Sequence, residues 1–263
     1  MLAVTTWAPW LLAAGALAVV VVPLLGLVAR VPWSSLASDL RDRQAWMALR
    51  LSLEVSLAAL GVSLALGVPL AWILARHPFP GRSVVRAVVT LPMVLPPVVG
   101  GIALLYAFGR RGLLGRVVYD LTGWRLVFTT SGAVLAAAFV SMPFLVVTAE
   151  AAFRTLDRHP EEAAATLGAG PGYRFWRVTL PAVAPALTAG GALTWARALG
   201  EFGATITFAG NFPGTTQTAP LLIYLDVESG HDGVALVLSV VLLTVSLTVL
   251  VVLRDRWLRH LVP

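Results

Sequence analysis

The sequence predicts an all-α polytopic membrane protein with six transmembrane helices, and three observations carry that reading. The 263-residue chain is 58% hydrophobic and only 12% charged, whereas soluble domains are about 45–50% apolar and about 25% charged. Its mean hydropathy is +0.85. The apolar residues gather into runs long enough to cross a bilayer core of about 30 Å, and the arginines and turn residues collect between them.

The same composition excludes several classes of function. There is no cysteine, so no disulfide framework or thiolate metal site is available. All 19 basic residues are arginine, which removes the phosphate-loop lysine and any Schiff-base chemistry. The net charge of +6 is scattered between apolar runs and forms no basic stripe, so membrane flanks explain it better than nucleic acid. His77, His159, His231 and His260 fall in loops or tails, and no two have metal-ligand spacing. No serine or acid constellation supports a membrane hydrolase. The sequence therefore assigns no catalytic residue, no metal site and no cofactor to this chain.

The first span covers residues 7–29. No arginine precedes it, so it lacks the basic start of a secretory signal and is expected to be retained. The second covers 49–75 and opens with Arg50 and Glu54 at helical spacing, a satisfied interfacial pair or, alternatively, a transport element. After the basic loop RHPFPGRSVVR comes the third span, 84–108, with Pro92, Pro96, Pro97, Gly100 and Gly101 in its middle. Proline frees backbone carbonyls and bends a helix, which a membrane tolerates only where neighbours or a water-lined path satisfy them. These five residues form either a packing kink or part of a gate.

Residues 109–130 carry Arg110, Arg111, Arg116 and Arg125 before the fourth span, 131–153. Near its end Glu150 and Arg154 stand i, i+4, in the order that favours a structural pair. The fifth span, 182–208, is rich in Gly and Ala; Gly190 and Gly191 permit close helix approach. Arg197 and Glu201 lie one turn apart inside it, as a mutual salt bridge that fixes packing or, with Phe202 and Thr205, as pathway or gate residues. Residues 211–233 read as a loop with one short helix around Leu221 to Leu225. The sixth span, 234–253, is closed by Arg254, Arg256 and Arg259. The chain is thus one transmembrane domain, residues 1–263, with both termini on one side.

Arginine bias leans towards cytoplasmic termini. That orientation places Arg76, Arg82, Arg86, Arg154, Arg158, Arg174, Arg177 and the C-terminal arginines inside, against Arg30, Arg41, Arg43 and the 109–130 loop outside.

The inside loop 154–181 is the longest segment built to meet a soluble partner. Asp157 precedes a helix start, Pro160 suits its first position, and Glu161 and Glu162 fall in the first turn, where carboxylates favour the positive end of the dipole. Ala163, Ala164 and Leu167 form a narrow small-residue face. Gly168, Gly170, Pro171 and Gly172 then stop the helix and allow a reversal into a second short segment, Tyr173 to Leu180.

Glu162, Ala163 and Ala164, followed by Gly168 and then by Val178, Leu180 and Pro181, resemble the EAA signature of the membrane subunits of bacterial ABC importers; Val178 stands where isoleucine is common. RHPFPGR, LPMVLPPVVGGIALLYAFGRRGLLG and ARALGEFGATITFAGNFPGTTQTAPLLIY are similar to the corresponding stretches of the molybdate and sulfate permease group, nearest the molybdate type. The likeness runs from about Leu66 to Leu253.

It implies a type I importer transmembrane domain in the bacterial inner membrane, a homodimer joined to two cytoplasmic ABC ATPases that hold ATP and Mg. An extracytoplasmic oxyanion-binding protein feeds it. It further implies that Glu161, Glu162, Ala163, Ala164, Leu167, Gly168, Ala169, Gly170 and Tyr173 form the coupling segment that docks on the ATPase. A bulky residue at Gly168 is then expected to block the hinge. Selectivity would rest in the receptor, so no arginine cage around the anion is expected. The outside arginines raise local dianion concentration, meet an acidic receptor or contact headgroups. The segments Gly214 to Gln217 and Asp226 to Asp232 are candidate receptor surfaces.

Two alternatives stand beside molybdate import. One is a sulfate or thiosulfate permease of the same kind. The other, of a different class, is an ion-coupled carrier, which needs a titratable mid-membrane cluster and no docking loop.

Overall fold

The computed structural model describes residues 4–258, with side chains placed over 7–252; the side chains of Arg254 and Arg256, and all of Arg259 and His260, lie outside the described residues. Every described element is helical. Five helices are long and apolar enough to cross a membrane, or six if one sharply bent pair counts as a span.

Helix α1 (Val4–Ala29) lies against the flank of the bundle, with Trp10, Leu12 and Val19 exposed. After a single turn, α2 (Leu36–Asp39), the long α3 runs Arg43–Arg76. It starts six residues earlier than hydropathy suggests because Asp42 caps it, accepting from the backbone N–H of Gln44 and Ala45 at 2.8 and 2.9 Å. It ends at His77, which is extended as the residue before Pro78 must be.

The third apolar run is not one continuous helix. Helix α4 (Arg82–Thr90) and a 3-10 turn (Leu91–Met93) meet α5 (Pro97–Phe108) at 116°. Pro96 is extended ahead of Pro97, and Pro97 restarts the helix at its first position, where no N–H is required. A short α6 (Gly115–Thr122) precedes α7 (Thr130–Thr155), which is capped by Thr129 through the N–H of Gly132 at 3.1 Å.

Helix α7 is the centre of the molecule. Ala133, Ala137, Ala138 and Ala149 are buried along it, against Leu51, Val55, Ala59, Ala71 and Leu74 of α3, while Ala136 packs towards Leu104 of α5 and Ala204 and Phe208 further along the chain. In a bilayer the apolar solvent gives helices little reason to associate, so close backbone approach through small residues supplies the packing.

Next come α8 (His159–Thr166) and a helix that begins at Pro171 rather than after the loop: α9 (Pro171–Arg174), a π segment (Phe175–Thr179) and α10 (Leu180–Leu199) form one continuous rod. The π widening falls immediately before Pro181. Leu180 donates to Phe175 O, and Thr179 Oγ1 to Arg174 O at 3.3 Å, so the rod passes the proline without breaking. On α10, Gly190 approaches α7 so closely that a Cβ there would lie 2.9 Å from Thr148 Cβ.

The fifth run also differs from expectation: it breaks at Gly200 to Phe202 and resumes as α11 (Gly203–Phe208). Helices α12 (Ala219–Glu228) and α13 (Asp232–Leu258) complete the fold. The segment before α12 folds inward, with Thr216, Gln217 and Thr218 buried. Gln44 Nε2 donates to Gln217 Oε1 at 2.9 Å, and the Ala219 N–H to Ser52 Oγ at 2.7 Å. Of the proposed Gly214 to Gln217 surface only Gly214 and Thr215 remain exposed, because side-chain bonds to α3 draw in the rest.

Charge pairing follows tertiary packing where the two conflict. Arg50 and Glu54 pair at 2.7 Å as their spacing suggests. Glu150 does not pair with Arg154. It is buried at 5% exposure and faces α4, where Arg86 donates to both its oxygens from Nε at 3.0 and 3.1 Å and to Oε1 from Nη2. A forked guanidinium contact outweighs the few tenths of a kcal/mol of an exposed i, i+4 pair.

Candidate functional site

The polar loop closes α8 with two backbone bonds that define a helix stop. Gly168 N–H donates to Ala165 O at 3.0 Å, and Ala169 N–H reaches back to Ala164 O at 3.0 Å. Gly168 sits at φ +84, the left-handed conformation this stop requires. A Cβ built there meets nothing within 4 Å, so the expectation that a side chain would block the hinge sterically is corrected. The constraint is the backbone angle. Gly170, by contrast, has φ −67 and open space, so it needs no glycine; it leads extended into Pro171, the first residue of the next helix.

The loop presents Leu167 at 88% exposure and Tyr173 at 61%, with Glu162 and Ala163 exposed beside them and Ala164 and Ala169 half-buried. Glu161 points the other way. Its Oε1 accepts from Arg76 Nη2 at 3.1 Å and from Thr179 Oγ1 at 2.9 Å, tying α8 to the ends of α3 and the π segment. The Arg76 side chain is 8% exposed and Thr179 is buried. In the sequence Arg76 stands out only as an orientation charge, and no local spacing links it to Glu161, 85 positions away.

Asp157 and His159 close the start of α8. The His159 N–H donates to Asp157 Oδ1 at 3.1 Å, and the ring Nδ1 lies 2.6 Å from the same oxygen. The backbone bond, then the ring, holds the Asp157 carboxyl below its usual range, while the Asp157 side chain raises the imidazole. Because the folded value is raised, the pair's contribution is complete below the ordinary histidine range of about 6.5 and disappears as pH rises through the higher folded value. An NMR titration should therefore place the His159 midpoint above that range, and Asp157→Asn should lower it most of the way back, Glu162 supplying the smaller remainder; an unshifted midpoint in the native chain would contradict the pairing.

The second set of candidates meets at the junction of α5 and α11. A Cβ on Gly101 would lie 2.6 Å from Thr207 Cβ and 3.0 Å from Ala204 O, and one on Gly203 would lie 2.5 Å from Pro97 Cβ. Pro97, Gly101 and Gly203 thus let two broken helices touch backbone to backbone. Gly100 faces Phe139 instead, and Pro92 sits in the 3-10 turn before the reversal. Gly101→Leu is expected to force α5 off α11 at a cost of about 1–3 kcal/mol, seen as a lower thermal midpoint in detergent; an unchanged midpoint would mean the contact is dispensable.

Arg197 and Glu201 pair across the break, Nη1 to Oε2 at 2.7 Å, although no N–H is aligned on that oxygen. The other oxygen, Oε1, accepts from Ala204 N–H at 2.8 Å and so closes the start of α11. Glu201 and Thr205 are buried at 2% and 1% exposure, and Phe202 stacks at a tilt on Tyr224, ring centroids 5.0 Å apart.

This arrangement of broken helices around a central α7, with a capped loop at one end, is the type I ABC-importer transmembrane fold. It superposes with a TM-score of 0.70 and 19% identity on a chain of a bacterial alginate ABC transporter solved with an alginate pentasaccharide-bound periplasmic protein, covering 94% of this chain and 95% of that one. On an inward-facing chain of the MetNI methionine ABC transporter the TM-score is 0.58 at 17% identity, covering 84% and 95%. At those identities the likeness is one of fold.

Residues 67–263 match the family described as binding-protein-dependent transport system inner membrane component, and the chain belongs to that family. It is 47% identical over 229 residues to the molybdenum transport system permease protein ModB of Mycobacterium tuberculosis, covering 86% of this chain and 85% of that protein. Its identity to the ModB protein of Escherichia coli is 42% over 218 residues, 82% of this chain and 94% of that one. The sulfate transport system permease protein CysT of Synechococcus elongatus is 37% identical over 207 residues, 79% and 74%.

Proposed function

We propose that this chain is the membrane-spanning permease subunit of an ATP-driven molybdate importer, tungstate being a cargo of the same shape and charge. Two copies enclose the path, two cytoplasmic ABC ATPases power it, and an extracytoplasmic oxyanion-binding protein delivers the anion. The chain would lie in the bacterial inner membrane with both termini in the cytoplasm, and ATP and Mg would be held by the partner subunits. The observation that carries this reading is the 42–47% identity to molybdenum permeases over most of the chain, joined to a loop that presents Leu167 and Tyr173 outward.

The mechanism follows from the loop's geometry. Glu162, Ala163, Ala164, Leu167 and Tyr173 form the face offered to the ATPase; Gly168 and Ala169 set its angle, and Gly170 joins it to the next helix; Glu161 turns inward and fastens it to α3 and the π segment ahead of α10. Closure of the ATPase pair would displace α8, and the Arg76, Glu161 and Thr179 contacts would pass that displacement to the rods. Pro97, Gly101 and Gly203 would let the α5 and α11 junction move as one piece. An ion-coupled carrier is disfavoured because Glu201, the one buried carboxylate at the α10 break, already has Arg197 as its counter-charge and caps α11 through Oε1.

Sulfate is the second reading, favoured by the 37% identity to a sulfate permease. Reconstitution with the cognate ATPase and receptor separates them. Molybdate-loaded receptor is expected to stimulate ATP hydrolysis well above sulfate-loaded receptor; equal stimulation would remove the assignment to molybdate.

A further inference from the structure

At the same end of the bundle as the α8 loop lies a polar cavity of about 390 Å³ lined by Phe79, Gly81, Arg82, Ser83, Arg86 and Arg154. Three guanidinium groups face it, and the nearest carboxylate, Glu150, is already occupied by Arg86. Arg82 is only loosely held: its Nη2 donates to Ala75 O at 3.5 Å, the long limit of a hydrogen bond, and lies 3.9 Å from Glu150 Oε1, while its Nε is buried without a partner. Arg154 has neither an ion-pair nor a hydrogen-bond partner among the described residues. A buried unpaired donor is costly, so Arg82 Nε calls for an acceptor, and an anion placed in the cavity would also meet the exposed Arg154 that lines it.

The surroundings select among anions. Helix α4, which carries Arg82 and Arg86 inward, exposes Val84 and Val88 on its other side at 63% and 62%. A helix with an apolar stripe beside a cationic pocket has the form of one lying in the membrane interface. A small soluble anion would satisfy the arginines and leave the valines bare; a phospholipid satisfies both. We propose that this pocket holds the headgroup phosphate of an anionic phospholipid, with its acyl chains against Val84 and Val88. Bound there, the lipid would brace the α3–α4 corner next to the Arg76 and Glu161 contact.

Native mass spectrometry of the full chain in detergent, with phosphatidylglycerol or phosphatidylcholine added at equal concentration, tests the proposal without ATPase or receptor, so its failure leaves the importer reading standing. Phosphatidylglycerol should be retained preferentially, with retention falling about fivefold in Arg154→Gln and in Arg82→Gln. Arg125→Gln, beside the opposite end of α7, should change nothing. Arg154 is exposed, so its variant carries the test if Arg82→Gln fails to fold. Equal retention of the two lipids would overturn the proposal. So would undiminished retention in Arg154→Gln, or release of the lipid by millimolar inorganic phosphate alone.

Discussion

Gly168→Val is expected to abolish transport by the reconstituted importer while the spans remain folded. At φ +84 an L side chain costs about 1–2 kcal/mol, and branching at Cβ places valine at the upper end. An eight-residue helix such as α8 has little stability of its own to absorb that cost. The helix stop then fails, Leu167 and Tyr173 lose their relative placement, and the ATPase has no fixed face to push. Gly170→Ala is the control. Its backbone is ordinary and its surroundings are open, so transport should persist. Equal loss in both variants would show that bulk in the loop matters rather than the left-handed angle, and normal transport by Gly168→Val would remove the role assigned to that residue.

The second large effect is expected at Glu201. Glu201→Ala removes the acceptor for Ala204 N–H and the counter-charge for Arg197 together, and breaking a buried pair from one side costs about 3–5 kcal/mol. The expected result is a strongly lowered thermal midpoint in detergent. Glu201→Gln keeps an oxygen where Oε1 now accepts, so it should recover most of that loss and retain transport. The comparison separates the two readings of this pair. If Glu201→Gln is stable yet inactive, the carboxylate serves the path rather than the helix break.

What could be read in advance was local. The start and stop of α8 follow from Pro160, the two glutamates and Gly168, all within one turn or two of their effects, and the apolar runs announce helices without reference to one another. Glu150 shows where that reading fails. Helical spacing offered Arg154, but the side chain is held on the α4 face of α7, so a partner 64 positions away takes it. Likewise, Pro97 marked a disturbance without revealing a 116° reversal, because the angle depends on Gly101 finding room against α11. The polar run around Gln217 looked like a surface because its bonds to Gln44 and Ser52 cross more than 160 positions. Glu161 is the subtlest case. It stands beside Glu162 in sequence, yet one turns inward to Arg76 while its neighbour stays exposed.

The coupling role requires the α8 loop to face the cytoplasm and touch the ATPase. The native chain has no cysteine, so Leu167→Cys introduces a single thiol at the loop's most exposed apolar residue. In right-side-out and inverted membrane vesicles carrying the assembled importer, a membrane-impermeant maleimide should label that thiol only in inverted vesicles, and the ATPase subunit should shield it. Labelling in right-side-out vesicles, or labelling in inverted vesicles that the ATPase does not diminish, would contradict the account.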